Sequence, residues 1–260
     1  MSRAVFVSSS RGGVGKSTFV RLLAEMHRQR ETGAVLVDAD QGVGQLIKHL
    51  GERDANTGRL LAAQSVERGV QTMDWHADVR GRDAIASYLE HRKVAIFDMP
   101  GGSLATFRAL DAETRFFAEI VPAMGYASTI VVLVTPYKET WADASLVAEG
   151  IPNADVLLVR NGGFGDARDF AKWDQSDTRA TLLKGGAREM EFPGLAPGIA
   201  ADVAFYRLRF LDAPHSEHVA IMDRGRARTW LEAATNVVLE ASDVLGLDVT
   251  AKPNAKRGAA

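Results

Sequence analysis

Short, uninterrupted apolar runs recur along the chain, and helical periodicity fills the intervals between them. The runs are AVFV (4–7), AVLVD (34–38), KVAIFD (93–98), STIVVLVT (128–135) and ADVLLVR (154–160). Each is rich in Val, Ile and Leu without polar alternation, the pattern of strands covered on both faces in a parallel sheet. After the first run, Phe19, Leu22, Leu23 and Met26 recur at helical spacing. Near the end, Trp230, Leu231, Ala234, Val237, Val238, Ala241 and Leu245 form one apolar stripe. Strands alternating with helices predict an α/β fold, a doubly wound, mostly parallel sheet with helices on both faces. Two stretches resist assignment. Residues 101–125 read as helix but are apolar on more than one side, and 161–170, with three glycines, reads as loop. The expected organisation is a single domain over 1–250 and a small, polar, cationic tail over 251–260, expected to be disordered.

Composition narrows the chemistry. The 260 residues suffice for one large domain with a full core. Net charge is −2 and the isoelectric point is near 6.3, which disfavours a globally basic nucleic-acid binder and leaves a local basic patch open. Cysteine is absent, so disulfides, thiolate metal sites, cysteine nucleophiles and cysteine-ligated iron–sulfur clusters are excluded together. The first apolar run is too short for a secretion signal and leads at once into a glycine loop. No stretch approaches the roughly 18 apolar residues of a membrane span. The expected setting is soluble and cytoplasmic.

Residues 8–18, SSSRGGVGKST, carry the clearest chemistry. Glycines at 12, 13 and 15 let successive backbone N–H groups turn towards phosphate oxygens. Lys16 supplies an ammonium for the β- and γ-phosphates, and Ser17 a hydroxyl for Mg²⁺. A strand before the loop and a helix from about residue 16, with its positive N-terminal end, complete the setting of a Walker A loop. Gly12, Gly13, Val14, Gly15, Lys16, Ser17 and Thr18 are the expected phosphate contacts. Two strand ends add carboxylates. VLVDADQG (35–42) brings Asp38 and Asp40, and KVAIFDMPGG (93–102) brings Asp98 before Pro100 and Gly102. Carboxylates beside phosphates suit Mg²⁺, which prefers oxygen ligands and keeps several waters. For Asp38 or Asp40 the competing role is helix capping.

The standard loop has glycine where this chain has Ser10, and Arg11 precedes the glycines. RGGVGKST resembles the deviant Walker A loop of the ParA/MinD family, written KGGVGK[ST]. The DxD after the second strand and the D-x-P-x-G at Asp98 resemble that family's switch I and switch II, in the same order. The likeness covers roughly residues 1–160 well and the rest loosely. It implies a P-loop NTPase that binds ATP and Mg²⁺ and works as a homodimer, with a protein adaptor or activator raising slow hydrolysis. It implies that Lys16 and Asp40 are catalytic, with Asp40 orienting the attacking water, and that Ser17, Asp38 and Asp98 serve the metal. In the family the early lysine reaches the partner's nucleotide. Arginine at 11 keeps the charge and adds a planar fork, so it either preserves that contact or marks a variant dimer. The family also places an adenine-contacting asparagine at the position of Asn161 and a proline-bearing loop at Pro193. Asn161 and Pro193 are equally turn formers. No N/T-K-x-D guanine signature follows, which favours ATP over GTP.

Three further readings stand. Arg224, Arg226 and Arg228 lie close in sequence and could contact DNA non-specifically, as in ParA-like proteins; a solvated charged face explains them equally well. His215 and His218 lack a third ligand and are read as surface residues. The stripe around Trp230 has little cationic flank, so it is expected to pack on the sheet rather than on a membrane. The expected process is partition or positioning of a plasmid, chromosome or other cargo. The alternatives are a metabolic P-loop enzyme, such as a small-molecule kinase or a ligase like dethiobiotin synthetase, and a weakly hydrolysing scaffold in plasmid stability or conjugation.

Overall fold

The computed structural model describes residues 1–40, 45–75, 79–90 and 92–249. The end of the VLVDADQG segment and the predicted tail lie outside them. The chain runs β1 (Ser2–Ser8), α1 (Lys16–Gln29), β2 (Val35–Asp38), α2 (Gln45–Leu50), β3 (Gln71–Thr72), α3 (Val79–Leu89), β4 (Val94–Asp98) and α4 (Ser103–Thr114). It continues through α5 (Val121–Ala123), β5 (Tyr126–Val134), α6 (Ala142–Ala148), β6 (Ala154–Asn161), α7 (Ala171–Asp174) and α8 (Asp177–Lys184). It closes with β7 (Arg188–Phe192), α9 (Pro197–Phe205), α10 (Ile221–Glu240) and α11 (Ser242–Leu245). Among the described residues, seven strands form one sheet in the order β3-β2-β4-β1-β5-β6-β7, and every pairing is parallel.

Strand side chains alternate between two cores, as the period-2 pleat requires. Val5, Val7, Leu36, Ile96, Val131 and Val159 join one core with Phe19, Leu22 and Leu23 of α1 and Trp230, Ala234 and Val238 of α10. Ala4, Phe6, Val37, Phe97, Val132 and Leu158 join the other, under α3, α4 and α6. The continuous apolar runs reflect this double cover. The terminal stripe is buried against the sheet at Trp230, Ala234, Val238, Ala241 and Leu245, as its periodicity predicts.

All five runs form strands. The two edge strands carry no such run. In β7, Met190 and Phe192 are buried while Arg188 and Glu191 are exposed, the alternation of a strand covered on one side. Residues 101–125 are not one helix. The chain turns at Arg115, in the left-handed region at φ 55°, and resumes as a π-turn over Phe116–Ile120. Asp111 Oδ1 accepts the N–H groups of Phe117 and Ala118 at 2.7 and 3.1 Å, fixing the break. The apolar residues on several sides then converge. Phe107, Phe116 and Phe117 meet Phe6 edge to face, with centroids 5.3, 6.5 and 5.5 Å away, and Phe97 stacks on Phe6 at 4.7 Å. Truncating such a ring to alanine costs about 3–5 kcal/mol.

Candidate phosphate-binding site

The parallel register brings the acidic strand ends together. Val7 of β1 pairs with Asp98 of β4, and Asp98 pairs with Asp38 of β2. Both carboxylates therefore stand beside the end of β1, where the chain enters the glycine loop. Gly13 and Gly15 sit at φ 80° and 90°, a conformation that side chains with a Cβ rarely adopt. Gly15 ends the loop as the N-cap of α1. It offers no side-chain cap, and the first turn of α1 holds no acidic residue. A helix start left this way, at the mouth of a glycine loop, suits an anion.

The entry side of the loop is tied down by residues far away in sequence. Ser9 Oγ donates to Arg11 O at 3.0 Å, and Gly102 N–H donates to Ser9 O at 2.8 Å. Ser10 Oγ donates to Thr140 O at 2.6 Å. The hydroxyl that replaces the usual glycine is thus an anchor. Beneath it, Ser8 Oγ donates to the buried Asp143 at 2.8 Å and lies 2.8 Å from Ser103 Oγ, joining β1, α4 and α6. Asp143 and Thr140 are parts of the site that the sequence alone does not flag, because nothing local marks them.

Lys16 Nζ pairs with Asp98 Oδ1, and only 3% of the Asp98 side chain is exposed. Burial pushes the Asp98 carboxyl up, the Lys16 charge and hydrogen bond oppose this, and the nearby Asp40 adds to it. Burial likewise pushes Asp38 up to about 6, against the N–H of Ile47 and with a contribution from Asp98. Asp38 also caps: Oδ2 accepts Ile47 N–H of α2 at 3.0 Å, and Oδ1 accepts Asp40 N–H at 3.3 Å. Asp40 is half-buried and bridges to Asp74. The two buried acids and Ser17, next to Lys16 in the first turn of α1, present oxygen donors only, which fits Mg²⁺. Among the described residues no three His, Cys, Asp or Glu side chains form a metal cage.

Arg11 is exposed and makes no ion pair with any described residue. Gly101 backs onto it: a Cβ there would stand 3.6 Å from the Arg11 carbonyl carbon. Asn161 is 7% exposed, and its amide is largely committed. Nδ2 donates to Val14 O at 2.7 Å, and Oδ1 accepts Gly163 N–H at 2.9 Å, capping the short turn Gly162–Phe164. Pro193 O accepts the Trp230 indole N–H at 2.9 Å. Gly194 lies so close to Gly163 that a Cβ would meet its Cα at 2.7 Å. The structure therefore sets Asn161 and Pro193 on two turns packed backbone to backbone, beside the loop's Val14.

The three C-terminal arginines lie along α10. Arg224 Nε is spent on Val219 O at 2.8 Å, Arg226 pairs with Asp223 at 2.5 Å, and Arg228 is exposed alone. His218 stacks on Tyr206 with centroids 4.3 Å apart. No helix among the described residues is long and apolar enough to cross a membrane.

No protein-family model matches the chain. Protein MobD of Acidithiobacillus ferrooxidans is 20% identical over 250 residues, spanning 92% of this chain and 97% of MobD. The MinC:MinD cell division protein complex of Aquifex aeolicus aligns with a TM-score of 0.47 and 18% identity, over 87% of this chain and 95% of that one. The nucleotide-binding protein in complex with ADP from Archaeoglobus fulgidus aligns with a TM-score of 0.44 and 18% identity, over 80% and 87%. In its parallel strand order, its β1–α1 loop with Arg11 and Lys16, and Asp38 and Asp98 at adjoining strand ends, the chain resembles P-loop proteins of the ParA/MinD kind.

Proposed function

We propose that the protein is a nucleotide-switched ATPase that binds Mg-ATP and acts as a homodimer to position or partition a cargo such as a plasmid or chromosome. The observation that carries this reading is the Lys16–Asp98 pair at the uncapped start of α1, with Asp38 in register beside it. An ammonium has three donors. Asp98 takes one, and the others serve phosphate oxygens. Gly12, Gly13, Val14, Gly15 and Thr18 supply the rest of the cradle. Ser17, Asp38 and Asp98 hold the metal directly or through its waters. When bound, Mg²⁺ neutralises charge on the phosphates. Asp40, half-exposed at the end of the DxD, orients the attacking water. Arg11, with its guanidinium uncommitted among the described residues, reaches across to a second protomer's phosphates and couples nucleotide to dimerisation. The Asn161 and Pro193 turns flank adenine. Hydrolysis is slow until a protein adaptor stimulates it.

Lys16→Ala removes the charge that neutralises the phosphates and is expected to abolish tight ATP binding in calorimetry. Unchanged affinity would remove the reading. Single-turnover ATP hydrolysis with and without DNA separates a switch ATPase from a metabolic kinase or ligase, whose turnover depends on a small acceptor.

A further inference from the structure

A basic pocket lies beside α2, the helix whose Ile47 N–H Asp38 accepts. The end of α2, the turn over residues 53–60 and the end of α9 enclose a concave pocket of about 510 Å³. Lys48, Arg53, Arg59 and Arg207 line it, with His49 and Thr57, and no carboxylate does. Nearby acids are committed elsewhere. Asp54 Oδ1 accepts Asn56 N–H, Thr57 N–H and the Thr57 hydroxyl, which shapes the turn, and Glu52 pairs with Arg68 and accepts Ser65 N–H.

The Arg53 side chain is held in place, while Lys48, Arg59 and Arg207 are exposed at the pocket. Arg53 donates to Gly58 O at 2.9 Å and Lys48 O at 2.6 Å, leaving further guanidinium donors. Arg207 is more telling. It closes α9 as a Schellman cap, with Leu208 N–H on Val203 O at 3.0 Å and its own N–H on Ala204 O at 3.4 Å. The cap position is left-handed, at φ 53°, where glycine is the unstrained choice. An arginine there is a strained residue at a pocket wall. Arg59 and Arg207 make no ion pair with any described residue. His49 Nδ1 is shut off from solvent without a partner. Burial pushes His49 down to about 4, and the charges of Arg21 on α1, Arg53, Arg207 and Lys48 push the same way. Each of these four charges is positive.

We propose that this pocket binds a compact phosphate-bearing anion, gripped by Arg53, Arg59 and Arg207 with His49 at its floor. Arginine forks match phosphate oxygens. The concave shape suits a small phosphorylated molecule better than the convex backbone of a duplex. An anion seated there offsets the surrounding cations, so the imidazole pKa rises on binding.

The test is a titration of the intact protein with inorganic pyrophosphate, followed at the His49 imidazole by NMR. Local observation keeps this site apart from the phosphate loop. The expected result is an upward shift of the His49 pKa with pyrophosphate. Arg207→Gly should weaken that binding about tenfold, the loss of one charge-assisted contact, while raising the thermal midpoint because glycine relieves the left-handed strain. Arg207→Lys should retain part of the affinity. An imidazole that pyrophosphate leaves unmoved would overturn the proposal. So would pyrophosphate affinity unchanged in Arg207→Gly, or binding of duplex DNA at His49 without binding of pyrophosphate.

Discussion

Asn161 Nδ2 donates to the carbonyl of Val14 at 2.7 Å, joining the end of β6 to the middle of the phosphate loop across 147 residues of chain. The same amide faces Gly15 so closely that a Cβ there would lie 2.0 Å from Nδ2. The loop's last glycine is thus required twice, by its left-handed φ and by the asparagine behind it.

Gly15→Ala is accordingly expected to cost about 2–4 kcal/mol, from strain and overpacking together. Asn161→Ala removes the obstructing amide, so the double variant should be more stable than the sum of the two single losses implies. The coupling should be about 1 kcal/mol in a thermal-melt cycle. Strictly additive losses would show that the clasp does not bear on Gly15.

Asp40→Ala should leave ATP bound but reduce hydrolysis by about 10²-fold or more, the usual worth of a positioned acid–base group. Calorimetry and single-turnover kinetics on the same protein check both halves. A variant that hydrolyses normally would leave Asp40 only its bridge to Asp74.

Arg11→Ala should still bind ATP as a monomer but lose ATP-dependent dimerisation and stimulated hydrolysis. Arg11→Lys should retain much of both. Light scattering with a non-hydrolysable ATP analogue reads the difference directly. An alanine variant that dimerises on nucleotide would leave Arg11 a solvated loop charge.

Glu25 gives a pH prediction. Its carboxylate accepts the N–H groups of Phe210 and Leu211 at 3.0 and 3.1 Å, and burial pushes it up from 4.5 to about 7. The folded state therefore holds this proton more tightly than the unfolded chain. The stabilisation is complete below pH 4.5 and is lost as pH rises through 7. Glu25→Gln lacks this dependence. Its stability relative to wild type should rise by up to about 3 kcal/mol between acid and mildly alkaline pH, read from urea midpoints. His27, which burial pushes down to about 4, has the opposite slope but cancels in the difference. A pH-independent difference would show that Glu25 titrates as an ordinary exposed acid.

The order of apolar runs and the residues of the glycine loop determine the central sheet and the phosphate chemistry without tertiary information. A strand covered on both faces is apolar along most of its length, so 4–7, 34–38, 93–98, 128–135 and 154–160 are legible as they stand. Lys16 and Ser17 are legible because the loop is local. The sequence does not determine contacts closed by long-range register. The meeting of Asp38 with Asp98, the Ser8–Asp143 hydrogen bond, the anchoring of Ser10 on Thr140 and the Asn161 clasp each join residues dozens to more than a hundred positions apart. The edge strand β7 and the break at Arg115 were likewise decided by packing. One face of β7 is left open, and on either side of the break at Arg115 the rings of Phe107, Phe116 and Phe117 meet Phe6. The basic pocket at Arg207 belongs to the same class, since its cations come from three separate segments that only the folded chain brings together.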